Sequence, residues 1–373
     1  MDSSREMVRS LRTDQVGSLL RPPALLEARE SWRAGGLTEA ALTRLEDDSI
    51  LAALQGQANS HQEVFVDGEF RRTGFMTGFP DSVEGFVRDA SAPIAWKGGT
   101  GSEGPSPNTQ LVVGGRLVSK KRIAKTEADF LTKHAPGPFK IALPSPINFA
   151  VMFWRRGRSE SAYATPSEFL ADAATILAAE AHALSYEGVP YIQLDAPLYT
   201  HWGDASLIAK YREAGFEMDR LLLDAVAAEN TIMDAAKPAI TGAHLCRGNS
   251  MGRWLAEGGY DEIAETLFNE LRCDRLLLEY DSPRAGDFTP LRFVPKDKIV
   301  VLGLVTTKHG EPESRDELIR RIDEATHHLP LEQLALSPQC GFASSGRGNP
   351  LTEEQQWRKL ELVASVAETV WRQ

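Results

Sequence analysis

The strongest constraint on this chain is an alternation: short apolar runs rich in β-branched residues recur eight times, with helical stretches between most of them. The runs cover residues 14–18 (DQVGS), 64–70 (VFVDGEF), 139–143 (FKIAL), 190–196 (PYIQLDA), 239–246 (AITGAHLC), 275–280 (RLLLEY), 298–306 (KIVVLGLVT) and 333–336 (QLAL). Several are apolar almost throughout, the pattern of strands buried on both faces of a parallel sheet. The spacing predicts helices over 38–60, 166–186, 206–228, 251–271, 314–327 and 353–370. Thr38 and Thr165 stand at cap positions, and Pro166 at a first helical position, where its missing N–H costs nothing. Such an alternation over 373 residues predicts one α/β domain spanning the chain, a (β/α)8 TIM barrel. A doubly wound open sheet is the weaker reading, because no G-x-G-x-x-G follows the first run. One segment exceeds the plain barrel. Residues 98–122 hold GGTGSEGPSP and TQLVVGGRLVSKK, and Gly114–Gly115 reads as the turn of a β-hairpin inserted after the second strand. The insertion could serve as a lid, an oligomer contact or mere ornament.

Composition narrows the function. The net charge of −11 leaves no dense basic face for nucleic acid. No apolar run approaches the roughly 20 residues that span a bilayer. The opening MDSSREMVRSLRTDQ is polar and lacks the apolar core of a signal peptide. The cysteines are three, Cys246, Cys273 and Cys340, a sparse and odd count that fits a reducing cytosol. These features predict a soluble cytoplasmic enzyme with no nucleic-acid or membrane partner. They leave oligomeric state open, a homo-oligomer included.

The chemistry gathers at predicted strand ends. His244 and Cys246 lie two apart at the end of the fifth run, so strand periodicity sends both to one face. Glu279 ends the sixth run and Cys340 follows the eighth. Barrel enzymes keep their active sites at this end of the strands. A lone buried His or Cys is more often packing, and Cys273, before the sixth run, is read that way. His244, Cys246, Glu279 and Cys340 together make a tetrahedral Zn2+ set. Two thiolates and a carboxylate would leave such a centre near −1, poor for a strong Lewis acid. It suits holding a substrate thiol as a nucleophilic thiolate. Alkyl transfer to sulfur therefore ranks above a zinc hydrolase or lyase, and above a binding protein that has lost turnover.

These motifs resemble the catalytic C-terminal domain of cobalamin-independent methionine synthase, in the same order over almost the whole chain. HLCRGN (244–249) is similar to the H-x-C zinc motif, LLLEYD (276–281) to the strand bearing the glutamate ligand, and SPQCG (337–341) to the segment of the last cysteine. VGS (16–18), VDGEF (66–70) and IQLDAP (192–197) resemble the family's homocysteine loops. The resemblance implies a catalytic zinc, a small thiol acceptor, homocysteine first, and a methyl or alkyl donor such as a methyl-folate. It implies that Asp195 and Glu69 hold the substrate ammonium, and that Gly17 and Ser18 hold its carboxylate. It gives a catalytic part to Asp195 and to the segment after the seventh strand, where the family's proton-delivering histidine is replaced here by Lys308, with His309 beside it.

Several positions depart from the family. Full-length members carry an N-terminal half with no counterpart in this sequence. Gln339 stands in SPQ where the family has an NPD-like segment. The folate-stacking aromatic has no clear equivalent, with Phe153 and Trp154 as candidates. A short relative on the same scaffold, epoxyalkane:coenzyme M transferase, supplies the alternative acceptor. A sulfonate-bearing thiol would need cations, for which Arg21, Arg71, Arg72 and Lys308 are the candidates.

Overall fold

A computed structural model of the chain describes residues 2–89, 97–98 and 111–372. Its centre is a six-stranded parallel sheet in sequential order: β3 (Lys140–Pro144), β4 (Tyr191–Asp195), β5 (Ile240–Leu245), β6 (Arg275–Glu279), β7 (Ile299–Val305) and β8 (Leu334–Pro338). These are six of the eight expected strands. The first two, 14–18 and 64–70, form no ladder among the described residues; their backbones meet the sheet through isolated parallel bridges, Thr13 to Leu336 and Phe65 to Phe139. Between these two segments the Leu19 N–H donates to the Gly68 carbonyl at 3.1 Å. A regular ladder fails at the second segment because Gly68 and Glu69 have φ of +68° and +56°, which no strand accommodates.

Period-two alternation divides every strand. Ile141, Leu143, Ile192, Leu194, Ala243, Leu245, Leu276, Leu278, Val300 and Leu302 pack into the large outer core with the helices. The opposite face carries Lys140, Gln193, Asp195, His244, Arg275 and Glu279, all buried. Lys140 of β3 and Arg275 of β6 both ion-pair with Asp14, at 2.7 and 3.3 Å, so the sheet curls far enough for strands three apart to meet one carboxylate. The interior of the sheet is therefore mixed: apolar inner-face residues gather in two small clusters, Tyr191 and Ile240 with Val64, and Leu277 with Val301 and Ala335, beside this polar set. A charged side chain there must be paired, since an unpaired buried charge costs several kcal/mol.

The inserted hairpin exists with different boundaries. β1 (Val83–Arg88) pairs antiparallel with β2 (Leu111–Ser119), between the second bridge segment and β3. Gly114 and Gly115 lie inside β2 rather than at its turn, where the register shifts by a bulge opposite Glu84 and Phe86. A Cβ on Gly114 would come within 2.9 Å of Val87, so Gly114 relieves crowding at the bulge, whereas Gly115 has room for one. The expected hairpin residues 99–110 lie outside the described residues.

Two expected helices also change. The 206–228 stretch divides at Gly215 (φ +90°) into Ala205–Glu213 and Met218–Ala235. The 251–271 helix begins only at Asp261, leaving 251–260 as a loop whose Leu255 and Gly258 N–H groups donate to the carbonyls of Arg247 and Arg284. No helix among the described residues is long and apolar enough to cross a membrane.

Candidate active site

β5 and the segment after β8 deliver the metal-type ligands. His244 stands on the inner face of β5, in register with Asp195 of β4, and Cys246 follows one residue past the strand. Cys340 lies two residues beyond β8. The ligand atoms of His244, Cys246 and Cys340 lie within 4.8 Å of one another, all buried. The two sulfurs are 3.7 Å apart, free thiols rather than a disulfide, and Ser344 Oγ lies 3.4 Å from Cys340 Sγ. The neighbouring Cys246 thiol holds the Cys340 thiol well below the usual range; burial opposes this, and the His244 ring adds to it. Among the described residues, both ring nitrogens of His244 are buried with no hydrogen-bond partner of normal geometry, although the Cys340 thiol lies close by. A satisfied core histidine would not leave them so. Two soft sulfurs and a borderline nitrogen form a donor set that zinc fits.

Glu279 does not join these three. Its Oε2 accepts the Arg247 N–H at 2.6 Å, while its Oε1 accepts from Arg284 at 2.8 Å and Lys308 at 3.4 Å. Burial resists its ionisation, but Lys308, Arg247 and Arg284 overcome this and hold the carboxyl down at about 2. The Cys340 thiol and burial raise the Cys246 thiol, and the charge of Glu279 adds to the rise.

A second cluster borders the first. Glu69 takes its left-handed conformation because Asp67 Oδ1 accepts its N–H at 2.9 Å and Arg21 binds its carbonyl at 2.9 Å. Strain of this kind in a non-glycine residue concentrates at functional sites. The turn brings its carboxylate against Gly17, where a Cβ would sit 2.8 Å from Oε1. Burial raises this carboxyl to about 7; Arg72 opposes the rise and Asp195 adds to it. Oε2 has no partner. Asp195, in turn, is raised by burial against the pull of His244, and Cys340 adds to the rise. Ser18 accepts the Phe342 N–H at 2.8 Å, so the 16–18 segment abuts the loop carrying Cys340. Glu69, Asp195, Gly17 and Ser18 thus meet beside the His/Cys/Cys cluster.

The segment after β7 divides. Lys308 is buried against Glu279 and Asp281, each at 3.4 Å, whereas His309 is exposed. The arginines considered for a sulfonate are committed elsewhere. Arg21 donates to the carbonyls of Ala343, Glu69 and Arg72. Arg72 binds Glu127 and the Ala142 carbonyl, and Arg71 binds Glu46 and Asp47. Phe153 stacks on Phe149, Trp154 donates to the Tyr163 carbonyl, and Cys273 packs in the outer core. Gln339 accepts from Thr307 at 3.2 Å. Sequence reasoning missed Gln193, Asn148 and Arg284, which bind Asp195 or Glu279 directly. Only Gln193 carried a signal: two residues before Asp195 in a strand, it must share that residue's face.

Residues 11–359 match the family described as cobalamin-independent synthase, catalytic domain. The chain belongs to this family. It is 36% identical over 372 residues to the uncharacterized protein YxjH of Bacillus subtilis, an alignment covering 97% of this chain and 95% of that one. It is 23% identical to a methionine synthase of Saccharolobus solfataricus, covering 89% and 88%. A crystal structure from Listeria monocytogenes, provisionally identified as a vitamin-B12-independent methionine synthase, superposes with a TM-score of 0.74 at 27% identity, covering 97% of this chain and 98% of that one. The architecture is thus the α/β TIM barrel of cobalamin-independent synthase catalytic domains, with a hairpin insertion, and the family is one of methyl-transferring enzymes.

Proposed function

We propose that this cobalamin-independent synthase domain catalyses zinc-dependent transfer of a methyl group to the sulfur of homocysteine. The observation that carries the reading is the pairing of two clusters: His244, Cys246 and Cys340 within 4.8 Å, and beside them the buried carboxyls of Glu69 and Asp195. His244, Cys246 and Cys340 would hold the zinc. Glu279, which acts on Cys246 through its charge, is the fourth candidate and would give up bonds to Arg284 and Lys308 on coordination. When bound, zinc would supply a Lewis acid that lets a coordinated thiol lose its proton near neutral pH.

The chain's own residues orient the acceptor. Asp195 and Glu69 bind its ammonium, and an ammonium arriving between two carboxyls raised by burial draws both toward ionisation. Gly17 and Ser18 present backbone N–H groups to the acceptor's carboxylate. Lys308 keeps a cation beside Glu279 and within reach of Cys340's charge, offsetting the negative charge of a site rich in thiolates. Burial of every one of these groups excludes water, which favours thiol attack over hydrolysis. A sulfonate-bearing acceptor is less well served, because Arg21, Arg71 and Arg72 already bind carbonyls and carboxylates.

The test combines metal analysis with acceptor titration. The protein is expected to bind about one zinc per chain, to lose most of it in Cys340→Ala, and, with cobalt in place of zinc, to change its visible spectrum when homocysteine is added. A cobalt spectrum indifferent to thiols sinks the reading. A panel of methyl donors with homocysteine then identifies the second substrate.

A further inference from the structure

Beneath the acceptor cluster lies a chain of buried hydrogen bonds that metal chemistry does not require. Lys140 Nζ donates to Asp14 Oδ1 at 2.7 Å and to Gln193 Oε1 at 2.6 Å. Gln193 Nε2 donates to Asp195 Oδ1 at 2.7 Å and to the Val16 carbonyl at 2.8 Å. Lys140 and Gln193 are 1% and 0% exposed, so bulk water does not compete for these partners. The amide can face only one way. An ammonium has only donors, so it must meet the amide oxygen; a carboxylate and a carbonyl only accept, so they must meet the NH2 group. Both amide hydrogens and the amide oxygen are used, and the side chain has no second arrangement.

The two groups that Gln193 holds matter because of what they adjoin. Asp195 is one of the carboxylates assigned above to the acceptor's ammonium. The Val16 carbonyl belongs to the same peptide plane as the Gly17 N–H, which is assigned to the acceptor's carboxylate. In a trans peptide the C=O and N–H point in opposite directions, so binding the carbonyl from below aims the N–H away from Gln193. A donor on the carbonyl also polarises the peptide and makes its N–H a better donor.

We propose that Gln193, backed by Lys140, is a positioning residue that sets the spacing between the ammonium-binding and carboxylate-binding halves of the acceptor site, and so selects α-amino-acid thiols. This rests on the acceptor reading above and sharpens it. The residue touches no substrate; it acts through Asp195 and the Val16–Gly17 peptide.

The experiment measures dissociation constants by calorimetry on the zinc-loaded full chain for three thiols: homocysteine, its deamino analogue and its decarboxy analogue. Gln193→Glu keeps the shape and an acceptor for Lys140 but loses both donors, and Gln193→Met is a neutral companion if the first folds poorly. Zinc content and the thermal midpoint check that each variant is intact. Wild type is expected to prefer homocysteine to both analogues. Each variant is expected to weaken homocysteine roughly tenfold or more, the scale of a lost hydrogen bond to a charged group, and the analogues by clearly less, so that the preference shrinks. Equal weakening of all three thiols, or an unchanged preference in an intact variant, overturns the proposal. A wild type with no preference for homocysteine overturns the acceptor reading itself, and is visible before any variant is made.

Discussion

Glu229 offers a prediction whose size follows from its surroundings. It lies on the helix Met218–Ala235, fully buried, and its Oε1 accepts from Ser145, the residue that caps the helix after β3 and donates its N–H to the Asp195 carbonyl. Burial raises its carboxyl from 4.5 to about 8, and the bond from Ser145 only partly offsets this. The folded protein therefore keeps a proton that the unfolded chain releases above about 4.5. The stability this protonated form contributes is fully present below 4.5 and is lost as pH rises toward 8. Between pH 5 and pH 8 the loss is on the order of 3 kcal/mol, at about 1.4 kcal/mol per pH unit across that window. Glu229→Gln retains the shape and the acceptor for Ser145 but cannot ionise. Its stability relative to wild type should rise by that amount from pH 5 to pH 8. Unfolding entropy of about 2.1 cal/mol/K per residue turns 3 kcal/mol into a relative gain of roughly 4 °C in midpoint for a chain of this length. Differential scanning calorimetry at the two pH values reads it directly. Parallel shifts of variant and wild type between pH 5 and pH 8 would refute the argument that Glu229 is folded as a neutral acid.

Two further outcomes follow from buried contacts. Glu279→Gln leaves Asp281 as the remaining carboxylate, among the described residues, for Lys308 and Arg284, at 3.4 and 3.1 Å, and breaking a buried ion pair costs about 3–5 kcal/mol. The variant should show a midpoint several degrees lower by calorimetry while metal analysis still finds zinc on the His/Cys/Cys set; complete loss of zinc would instead make Glu279 an indispensable ligand. Thr352→Ala removes a capping box in which Thr352 and Gln355 each bind the other's backbone N–H ahead of the C-terminal helix Glu353–Trp371. Its cost should be about 1 kcal/mol in denaturant titration, with no change in thiol binding.

Much of the site was legible in the sequence because its placement is local. A period of two puts His244 and Cys246 on one face whatever surrounds them, and the same rule ties Gln193 to Asp195. The apolar runs of β3 to β8 announced a doubly buried parallel sheet, since burial on both faces permits few polar residues. The errors arose where distant partners decide. Gly114–Gly115 has the composition of a turn, but pairing with β1 across a long insertion made it a bulge inside β2. The VDGEF run looked like a strand until Asp67 and Arg21 fixed Glu69 in a left-handed turn. His309 and Lys308 are adjacent in sequence, yet one is exposed and the other buried against two carboxylates.

The sequence by itself determined the class of fold and put His244, Cys246 and Cys340 at or near strand ends, because repeat spacing and residue type are properties of short segments. Only the tertiary structure decided which charges are free to act. Curling the sheet brought Lys140, Asp14 and Arg275 together at its centre, committed Arg21 and Arg72 to backbone carbonyls, and left Glu69 and His244 with buried atoms unpartnered among the described residues. Whether a buried polar atom is paired depends on residues hundreds of positions away, and that pairing is what separates a structural charge from a working one.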